Sequence, residues 1–208
     1  MLRIAGFLLL AALLGACSEA REAPDPAAGF KAMTSSDGTL QLRVPESWAA
    51  TELNPVASLQ AGDPEAEAYG MVIQDPRQVL KDYTLERFAD TQMQELVDDL
   101  GLASVAGPEK VEVNGKEALQ YQVKGLFDSV EVVYLYTFVE TQDRFLKVVT
   151  WSLASKFDDN KPVLEQVSTS IRELKGLPSP TPNAGESADP AVIPTQQQPG
   201  VFDRDPQA

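Results

Sequence analysis

The stretch that decides the fold is VEVVYLYTFVE, Val130 to Glu140, which is followed after the short turn TQD by RFLKVVTWSL, Arg144 to Leu153. Both runs are apolar on both sides of an extended backbone, because successive side chains of a strand point to opposite faces. In the first run, one face carries Val132, Tyr134, Tyr136 and Phe138, and the other carries Val133, Leu135 and Val139. A strand with two apolar faces needs cover on both sides. We therefore predict an antiparallel hairpin inside a sheet that has a further layer on each face.

Two amphipathic helices are predicted to supply those layers. The segment TLERFADTQMQELVDDLG, 84–101, places apolar residues at helical spacing, and Thr84 is a suitable cap at its start. A second helix is predicted from about Lys161 to Leu174, with Asn160 as its cap. The predicted fold class is therefore α/β (α+β), an antiparallel sheet sandwiched between helices.

Shorter patterns predict the remaining strands. LQLRV, 40–44, alternates apolar and polar residues, which is typical of a half-buried strand. VASLQ, 56–60, and EAYGMVIQ, 67–74, predict two further strands joined by an acidic loop. The dipeptide Asn114-Gly115 lies between VEV and EALQYQV, and Asn-Gly between alternating runs is the strongest short-range signal for a hairpin.

The N-terminus has the pattern of a targeting signal. One positive charge, Arg3, precedes the apolar run Ile4–Ala16, which is too short to span a bilayer, where about 20 residues are needed, but has the length of a signal-peptide core. Leu14-Gly15-Ala16-Cys17 resembles the lipobox of bacterial lipoproteins, which are cleaved between the residues that correspond here to Ala16 and Cys17. The resemblance implies that Cys17 receives a diacylglycerol thioether and an amide-linked acyl chain. The alternative is an ordinary secretory signal with a chance cysteine.

This signal predicts the location and the division of the chain. An aspartate directly after the cysteine would resemble an inner-membrane retention signal, but this chain has Ser18 at that position. We therefore expect a lipid-anchored, periplasm-facing envelope protein, with the outer membrane favoured over the inner. Residues 1–16 are predicted to be the signal peptide, and 17–29 the lipidated cysteine with a flexible tether. Residues 30–176 are predicted to form the globular domain, and 177–208 a disordered tail rich in proline and glutamine.

Composition excludes several classes of function. The chain has 17 basic and 31 acidic residues and a net charge of −14. Nucleic acid is not an expected partner, because phosphate binding needs clustered Lys and Arg. The chain has no histidine, which excludes Ser-His-Asp and Cys-His catalytic sets and histidine metal sites. We therefore predict no catalytic residues, no enzyme activity and no cofactor, and an enzyme built from carboxylate pairs or a Ser-Lys dyad ranks last.

The order of elements resembles the PsbP-like fold, which occurs in photosystem-associated lumenal proteins and in bacterial envelope lipoproteins of the DcrB group. The resemblance rests on LRVPESW at 42–48, VNGKEALQYQV at 113–123, and RFLKVVTWSLASKF at 144–157 with the helical segment that follows it. It implies an α/β/α sandwich that binds or helps to assemble other proteins. No shared catalytic site carries over, and the histidines through which some photosynthetic relatives bind metal are absent.

Two candidate binding regions follow from the residues. Leu126 and Phe127, in the segment KGLFDS between two long strands, are candidates for contact with a protein partner, since an apolar pair at a loop tip can anchor one. Asp63, Glu65 and Glu67 are weak candidates for calcium, against a solvated loop as the default. Trp48, Trp151, Tyr121, Tyr134 and Tyr136 are interpreted mainly as core, although they could line a pocket.

The leading functional hypothesis is therefore a non-catalytic lipoprotein that is held at the membrane through Cys17 and binds another envelope protein. The alternative is a lipoprotein that binds a small molecule or a divalent cation, through the acidic loop or an aromatic pocket.

Overall fold

The computed structural model describes residues 28–100, 104–127 and 129–174. Within these residues the chain forms ten strands and two α-helices. The strands are β1 (Phe30–Thr34), β2 (Leu40–Pro45), β3 (Ala49–Ala50), β4 (Leu59–Asp63), β5 (Ala68–Pro76), β6 (Ser104–Val113), β7 (Lys116–Phe127), β8 (Val130–Glu140), β9 (Arg144–Leu153) and β10 (Arg172–Glu173). The helices are α1 (Leu85–Leu100) and α2 (Phe157–Thr169).

The predicted hairpin lies inside a seven-stranded antiparallel sheet. Its strand order is β3-β4-β5-β9-β8-β7-β6, and β8 pairs with β9 in a register that places Tyr136 opposite Val149. Both faces of β8 enter a core, as predicted: Leu135 packs on one side of the sheet and Phe138 on the other. The second predicted hairpin, β6–β7, is also present and turns at Asn114 and Gly115.

One face of this sheet is covered by α2 and by a second sheet. The second sheet has the order β1-β2-β10, and the LQLRV strand predicted from sequence lies at its centre as β2. Leu40, Leu42 and Val44 point from β2 into the core, where Trp48 is only 1% exposed. This second sheet was not predicted, because β1 and β10 carry no alternating pattern that is long enough to recognise.

The opposite face is covered by α1, as the helix pattern predicted. Its residues Leu85, Phe88, Ala89 and Met93 are buried against the sheet. The Phe88 ring stacks on Phe145 with centroids 4.6 Å apart and meets Phe138 edge-on at 5.8 Å. The sheet is therefore sandwiched, and the predicted fold class is confirmed.

The last helix begins and ends earlier than predicted. It starts at Phe157, which is buried, and its first turn carries Asp158 and Asp159, which favour the positive end of the helix dipole. Asn160 is not the cap but lies inside the helix, and its Nδ2 donates to the Ala66 carbonyl at 3.0 Å. The apolar spacing continues to Leu174, but the helix ends at Thr169 because the chain then pairs with β2.

The buried Arg144 joins the two sheets. It begins β9, its Nε lies 3.4 Å from the Glu173 carboxylate in β10, and its guanidinium donates to Thr39 Oγ1 at 3.2 Å and to the Gln74 side chain. Glu173 belongs to β10 of the small sheet and Thr39 to the turn between β1 and β2, whereas Gln74 belongs to β5 of the large sheet. One side chain therefore binds both layers at the same end.

The turn between β1 and β2 gives this end of the fold a pH dependence. Burial alone would raise the pKa of Asp37, but hydrogen bonds from Ser35 and Thr39, with nearby Arg144, lower it below its usual value. A lowered pKa of Asp37 in the folded state contributes stability at pH values above the unfolded pKa, near 4, and this stability is lost as the pH falls through the folded pKa.

We expect Asp37→Asn to be less stable than the wild type at pH 7. Chemical unfolding across pH 2–7 should show that difference shrink below about pH 4, and a constant difference would contradict this origin.

Candidate functional site

One part of the large sheet is incompletely covered on the α1 side. Within the described part of the chain, α1 packs over β7, β8 and the first residues of β9, where Phe88 stacks on Phe145, whereas β5 and the rest of β9 lie beside it. The burial of β5 alternates accordingly: Ala68, Gly70 and Val72 are buried against α2, while Tyr69, Met71 and Ile73 are half-buried. We call the half-buried side chains of Tyr69, Met71, Ile73, Lys147 and Trp151 the open face.

Three aromatic residues form a row across the open face and its border with α1. Tyr69, Trp151 and Tyr134 occupy paired positions on β5, β9 and β8. The Tyr69 and Trp151 rings stack with centroids 5.6 Å apart, and Trp151 and Tyr134 are 6.0 Å apart. Gly62 stands opposite Tyr69 on β4, and a Cβ atom there would lie 2.3 Å from the tyrosine ring. The glycine therefore gives the Tyr69 ring its space.

The tyrosines of this region are neutral groups at physiological pH. Burial raises the pKa of Tyr134 to about 12, and it also raises the pKa of Tyr136 next to it. The pKa of Tyr69 is raised by burial and by the nearby carboxylates Glu67 and Asp63. These rings therefore offer apolar surface and hydroxyl groups for binding, and no phenolate for catalysis.

A charged group of residues lies at the α1 end of the open face. Lys147 Nζ donates to Gln92 Oε1 of α1 at 2.5 Å. Burial lowers the pKa of Lys147, while Asp75 and Glu95 oppose that shift. Burial raises the pKa of Asp75, and Lys147 opposes that shift in turn. Asp75 on β5 and Glu95 on α1 thus lie near Lys147, and the Glu95 carboxylate accepts a hydrogen bond from Gln92 Nε2 at 2.7 Å.

The acidic loop does not bring its carboxylates together. Asp63 Oδ1 accepts the backbone N–H groups of Glu65 and Ala66, at 3.0 and 3.2 Å, which closes the β4–β5 turn. The Ser47 hydroxyl and these N–H groups lower the pKa of Asp63. Glu67 forms an ion pair with Lys156 at 3.0 Å. Among residues 28–100, 104–127 and 129–174, no three Asp, Glu, His or Cys side chains are placed to hold a metal ion.

Leu126 and Phe127 are the last two residues of β7 and not a free loop tip. They pair with Glu131 and Val130 at the β7–β8 turn. Leu126 is 55% exposed and Phe127 is half-buried. As neighbours in a strand they point to opposite faces, so they do not form one shared patch. Contact between either residue and a partner stays a prediction.

The predicted anchor lies outside the described residues. Ala16 and Cys17, the tether before residue 28 and the tail after residue 174 belong to the parts for which no structure is given. Across the described ranges, no helix has the length and apolar character that a membrane span requires.

The aromatic residues divide between core and surface. Trp48 and Tyr121 are buried, as the sequence interpretation favoured, and the Tyr121 hydroxyl donates to Asp90 at 3.0 Å. Trp151 is a half-buried residue of the open face, and Tyr134 and Tyr136 are half-buried beside it on β8. Tyr69 was not predicted as a site residue. Its place in an alternating strand was the only available signal, because its pairing with Gly62 and Trp151 depends on the fold.

A small cavity lies on the other face of the sheet, between α2 and the bulge in β6. It has a volume of about 90 Å³ and is lined by Ala106, Glu109, Gln120, Gln122, Leu135, Lys161 and Glu165. Sites for small molecules usually measure about 300–1,000 Å³. The cavity is therefore large enough for a few water molecules and too small for most metabolites.

Comparison with known proteins identifies the architecture. No family model and no curated protein matches the sequence. Cyanobacterial PsbP (CyanoP) from Synechocystis sp. PCC 6803 matches with a TM-score of 0.53 and 16% identity, covering 77% of this chain and 99% of that one. LpqN, described as involved in cell envelope biogenesis of Mycobacterium tuberculosis, matches with a TM-score of 0.47 and 13% identity over 72% and 91% of the two chains. At this identity the CyanoP match shows the fold alone, and that fold is PsbP-like.

Proposed function

We propose that this protein is a non-catalytic, lipid-anchored component of the bacterial envelope whose domain binds another protein through the open face. The observation that carries the binding part is the aromatic row, in which Tyr69, Trp151 and Tyr134 are half-buried at the surface of the sheet. Tyr and Trp are enriched in protein interfaces and among the few residues that contribute most of the binding energy.

A protein partner fits the open face better than a small molecule does. The open face extends over two adjacent strands, β5 and β9, and is bordered by a helix, so it is a broad and shallow surface. Small ligands are usually enclosed on most sides by a pocket. The one cavity described above, of about 90 Å³, lies on the opposite side of the sheet and is small for such a ligand.

The attachment part is supported by the lipobox resemblance at Leu14–Cys17. One acyl chain binds membranes only marginally, whereas two or three make a stable anchor. We expect Cys17→Ser to abolish incorporation of an alkyne-labelled fatty acid and to move the protein from the membrane fraction to the supernatant. Ser18→Ala serves as the control and should keep both. Fatty-acid labelling of the Cys17→Ser variant would contradict the attachment site.

The binding part is tested by photo-cross-linking in intact cells. A photoreactive phenylalanine at Tyr69 is expected to give one discrete cross-linked species, because a partner on the open face would lie within reach of that ring. The same probe at Lys116, an exposed residue at the β6–β7 turn, is the matched control and should give none. A probe at Phe127 tests the contact predicted from sequence. Identical patterns from Tyr69 and Lys116 would count against a binding role for the open face.

A further inference from the structure

The β7–β8 hairpin projects from one end of the large sheet. In the strand pairing, β6 reaches only as far as Lys124 of β7, and β9 reaches only as far as Val132 of β8. Within the described strands, residues 125–127 and 129–131 therefore lie beyond both neighbours, and we call them the hairpin tip. At about 3.3 Å per residue, the hairpin tip extends roughly 7–10 Å past the ends of the neighbouring strands.

Apolar side chains point from both sides of the hairpin tip. Leu126 is 55% exposed, Val130 is 46% exposed, and Phe127 is half-buried. Phe127 and Val130 are paired and face the α1 side of the sheet, whereas Leu126 faces the α2 side next to Glu131. A flat protein surface would cover only one of these sides. A medium that surrounds the hairpin tip, such as the surface of a lipid bilayer, covers both.

Exposed apolar residues are concentrated at this end of the sheet. Five large apolar side chains are exposed in the described part of the chain. Three of them, Val105, Leu126 and Val130, lie on the neighbouring strands β6, β7 and β8 at or beside the hairpin tip. Val56 and Val79 each lie singly in a turn elsewhere. Scattered apolar residues are ordinary, but a group of them at a projecting end favours a contact surface.

The N-terminal part of the chain joins the domain at the same end. The Gly29 carbonyl accepts the Glu46 N–H at 2.9 Å, where β2 ends, and the segment that follows pairs with β4 next to the β4–β5 turn. Just after that turn, Ala68 of β5 is connected through paired residues of β9 and β8 to Lys124 at the base of the hairpin tip. Gly29 and the hairpin tip therefore lie at one end of the fold.

The last described residue lies at the opposite end. The Leu174 N–H donates to the Thr39 carbonyl at 2.8 Å, and Thr39 lies beside Arg144, the first residue of β9. The predicted tether, 18–29, has 12 residues and spans at most about 40 Å when extended. An anchor at Cys17 thus concentrates the hairpin-tip end near the bilayer, where a contact that is weak by itself is enough to hold it.

The charges of the protein do not favour attraction to an anionic surface. Lys124 and Glu131 form an ion pair at 3.1 Å at the base of the hairpin tip and offset each other. The net charge of −14 opposes approach to anionic headgroups. The sequence also places Asp128 in this segment, and a carboxylate is costly in the hydrocarbon core. A contact with the bilayer is therefore expected to be apolar in origin and to lie at the level of the headgroups.

From these observations we infer that the hairpin tip docks on the surface of the lipid bilayer, with Leu126, Phe127 and Val130 at the boundary between headgroups and acyl chains. The inference rests on the attachment part of the proposed function and adds the surface that the domain presents to the membrane. In this orientation the strands of the large sheet run away from the bilayer, so the open face points sideways. A protein bound at the open face then approaches along the membrane.

The test measures the depth of a single fluorophore in phosphatidylcholine vesicles that contain the full lipidated chain. Since Cys17 is the only cysteine and its thiol carries the lipid, an introduced cysteine is the one that reacts with the dye. The dye nitrobenzoxadiazole is attached at Ser129→Cys in the hairpin tip, or at Lys116→Cys at the opposite end of β7. We expect nitroxide-labelled lipids to quench the dye at residue 129 several-fold more strongly than at residue 116. Equal quenching at both positions, or none at either, would overturn the inference.

Two double variants, each made with the dye at Ser129→Cys, identify the cause of the quenching. Leu126→Ser with Val130→Ser should lower the ratio of docked to free domain about tenfold, because two half-exposed aliphatic side chains are removed. Val56→Ser with Val79→Ser makes the same change at exposed positions outside the hairpin tip and should have no effect. Circular dichroism checks that both variants fold. Unchanged quenching in the first variant would overturn the inference, since the dye itself would then account for the contact.

The lipid composition separates an apolar contact from an electrostatic one. Replacing part of the phosphatidylcholine with anionic phosphatidylglycerol should weaken the quenching, and added salt should not abolish it on phosphatidylcholine. Quenching that requires anionic lipid and disappears at high salt would overturn the inference. A discrete cross-link from Phe127 to a protein in cells would also overturn it, because a protein would then occupy the hairpin tip.

The inference and the proposed function fail separately. A wild-type chain that incorporates no fatty acid would remove the attachment part of the proposed function. Normal incorporation of the fatty acid without quenching at Ser129→Cys would overturn the inference alone. The binding part is tested by the cross-link from Tyr69 and does not depend on either result.

Discussion

Phe138→Ala is expected to lower the free energy of unfolding by about 3–5 kcal/mol, because it removes a ring from the centre of the packing between α1 and the sheet. Phe138 is 0% exposed and contacts the rings of Phe88, Tyr121 and Tyr136. The cost combines the lost burial of the ring with the cavity it leaves. Urea denaturation followed by circular dichroism measures the change, and the melting temperature should fall by about 10 °C or more for a domain of this size.

Two further variants identify the cause of that loss. Phe138→Leu keeps much of the volume and should cost about 1–1.5 kcal/mol. Val79→Ala changes a residue that is 74% exposed and should stay within about 0.5 kcal/mol of the wild type. A loss below about 1 kcal/mol for Phe138→Ala would mean that α1 is not held by this cluster. In that case α1, which borders the open face, would be able to move relative to the sheet.

Arg144→Met is expected to cost about 2–3 kcal/mol, because it removes a buried charge from hydrogen-bond partners in two layers of the fold. The Arg144 side chain is 9% exposed, and the Glu173 side chain that faces it is 31% exposed. Without the guanidinium, Glu173 in β10 and Thr39 in the β1–β2 turn would lose the side chain that links them to Gln74 of the large sheet. The partial exposure of Glu173 limits the loss, since water can replace part of the interaction.

The measurement is again denaturant unfolding, with Lys110→Met as a matched change of charge. Lys110 forms an exposed ion pair with Glu117 at 2.9 Å, and exposed pairs of this kind contribute less than about 1 kcal/mol. If Arg144→Met and Lys110→Met had equal effects, the two layers would be held together by their apolar core alone. Hydrogen exchange should also show faster exchange of the β10 amides in Arg144→Met, because β10 pairs with β2 through only two residues.

The open face results from a mismatch between one helix and a wide sheet. Helix α1 contacts β7, β8 and the Phe145 end of β9, while the sheet continues past it through the rest of β9 and through β5 and β4. On the opposite side, α2 and the three-stranded sheet together bury the same strands, which include Val72 and Val148. The two faces of β5 therefore differ in burial although both carry apolar residues. This difference distinguishes the candidate binding surface from the core.

Elements with strong local patterns were predicted correctly. The β8–β9 hairpin, the Asn114-Gly115 turn and helix α1 each follow from alternation or helical spacing within a single segment. The two-faced apolar pattern of β8 also predicted a covered sheet, since apolar side chains on both faces must be removed from water. These features depend on neighbours in sequence, so the sequence determines them by itself.

Other features depend on contacts between distant segments. The pattern from Lys161 to Leu174 reads as one helix, yet Ile171 enters the core after the helix has ended and Arg172 begins a strand. Asn160 was expected to cap that helix, but its amide instead meets Ala66 from the β4–β5 turn. Leu126 and Phe127 adjoin in sequence, and strand pairing sends them to opposite faces. The contacts of Arg172 and Asn160 involve residues far away in the chain, and the orientation of Leu126 and Phe127 follows from β7 continuing through both residues, so local spacing did not indicate these features.

The sequence by itself determined the acidic charge, the lack of histidine chemistry, the lipobox-like start and the sandwich class of the fold. Only the tertiary structure decided which aromatic residues are core and which are surface. Trp48 follows a proline in a polar segment and yet lies in the core beneath α2 and the small sheet, whereas Trp151 stands in an apolar strand and is half-buried. The exposure of a side chain depends on how far each covering layer reaches across the sheet, and that reach is set by packing between segments far apart in the chain.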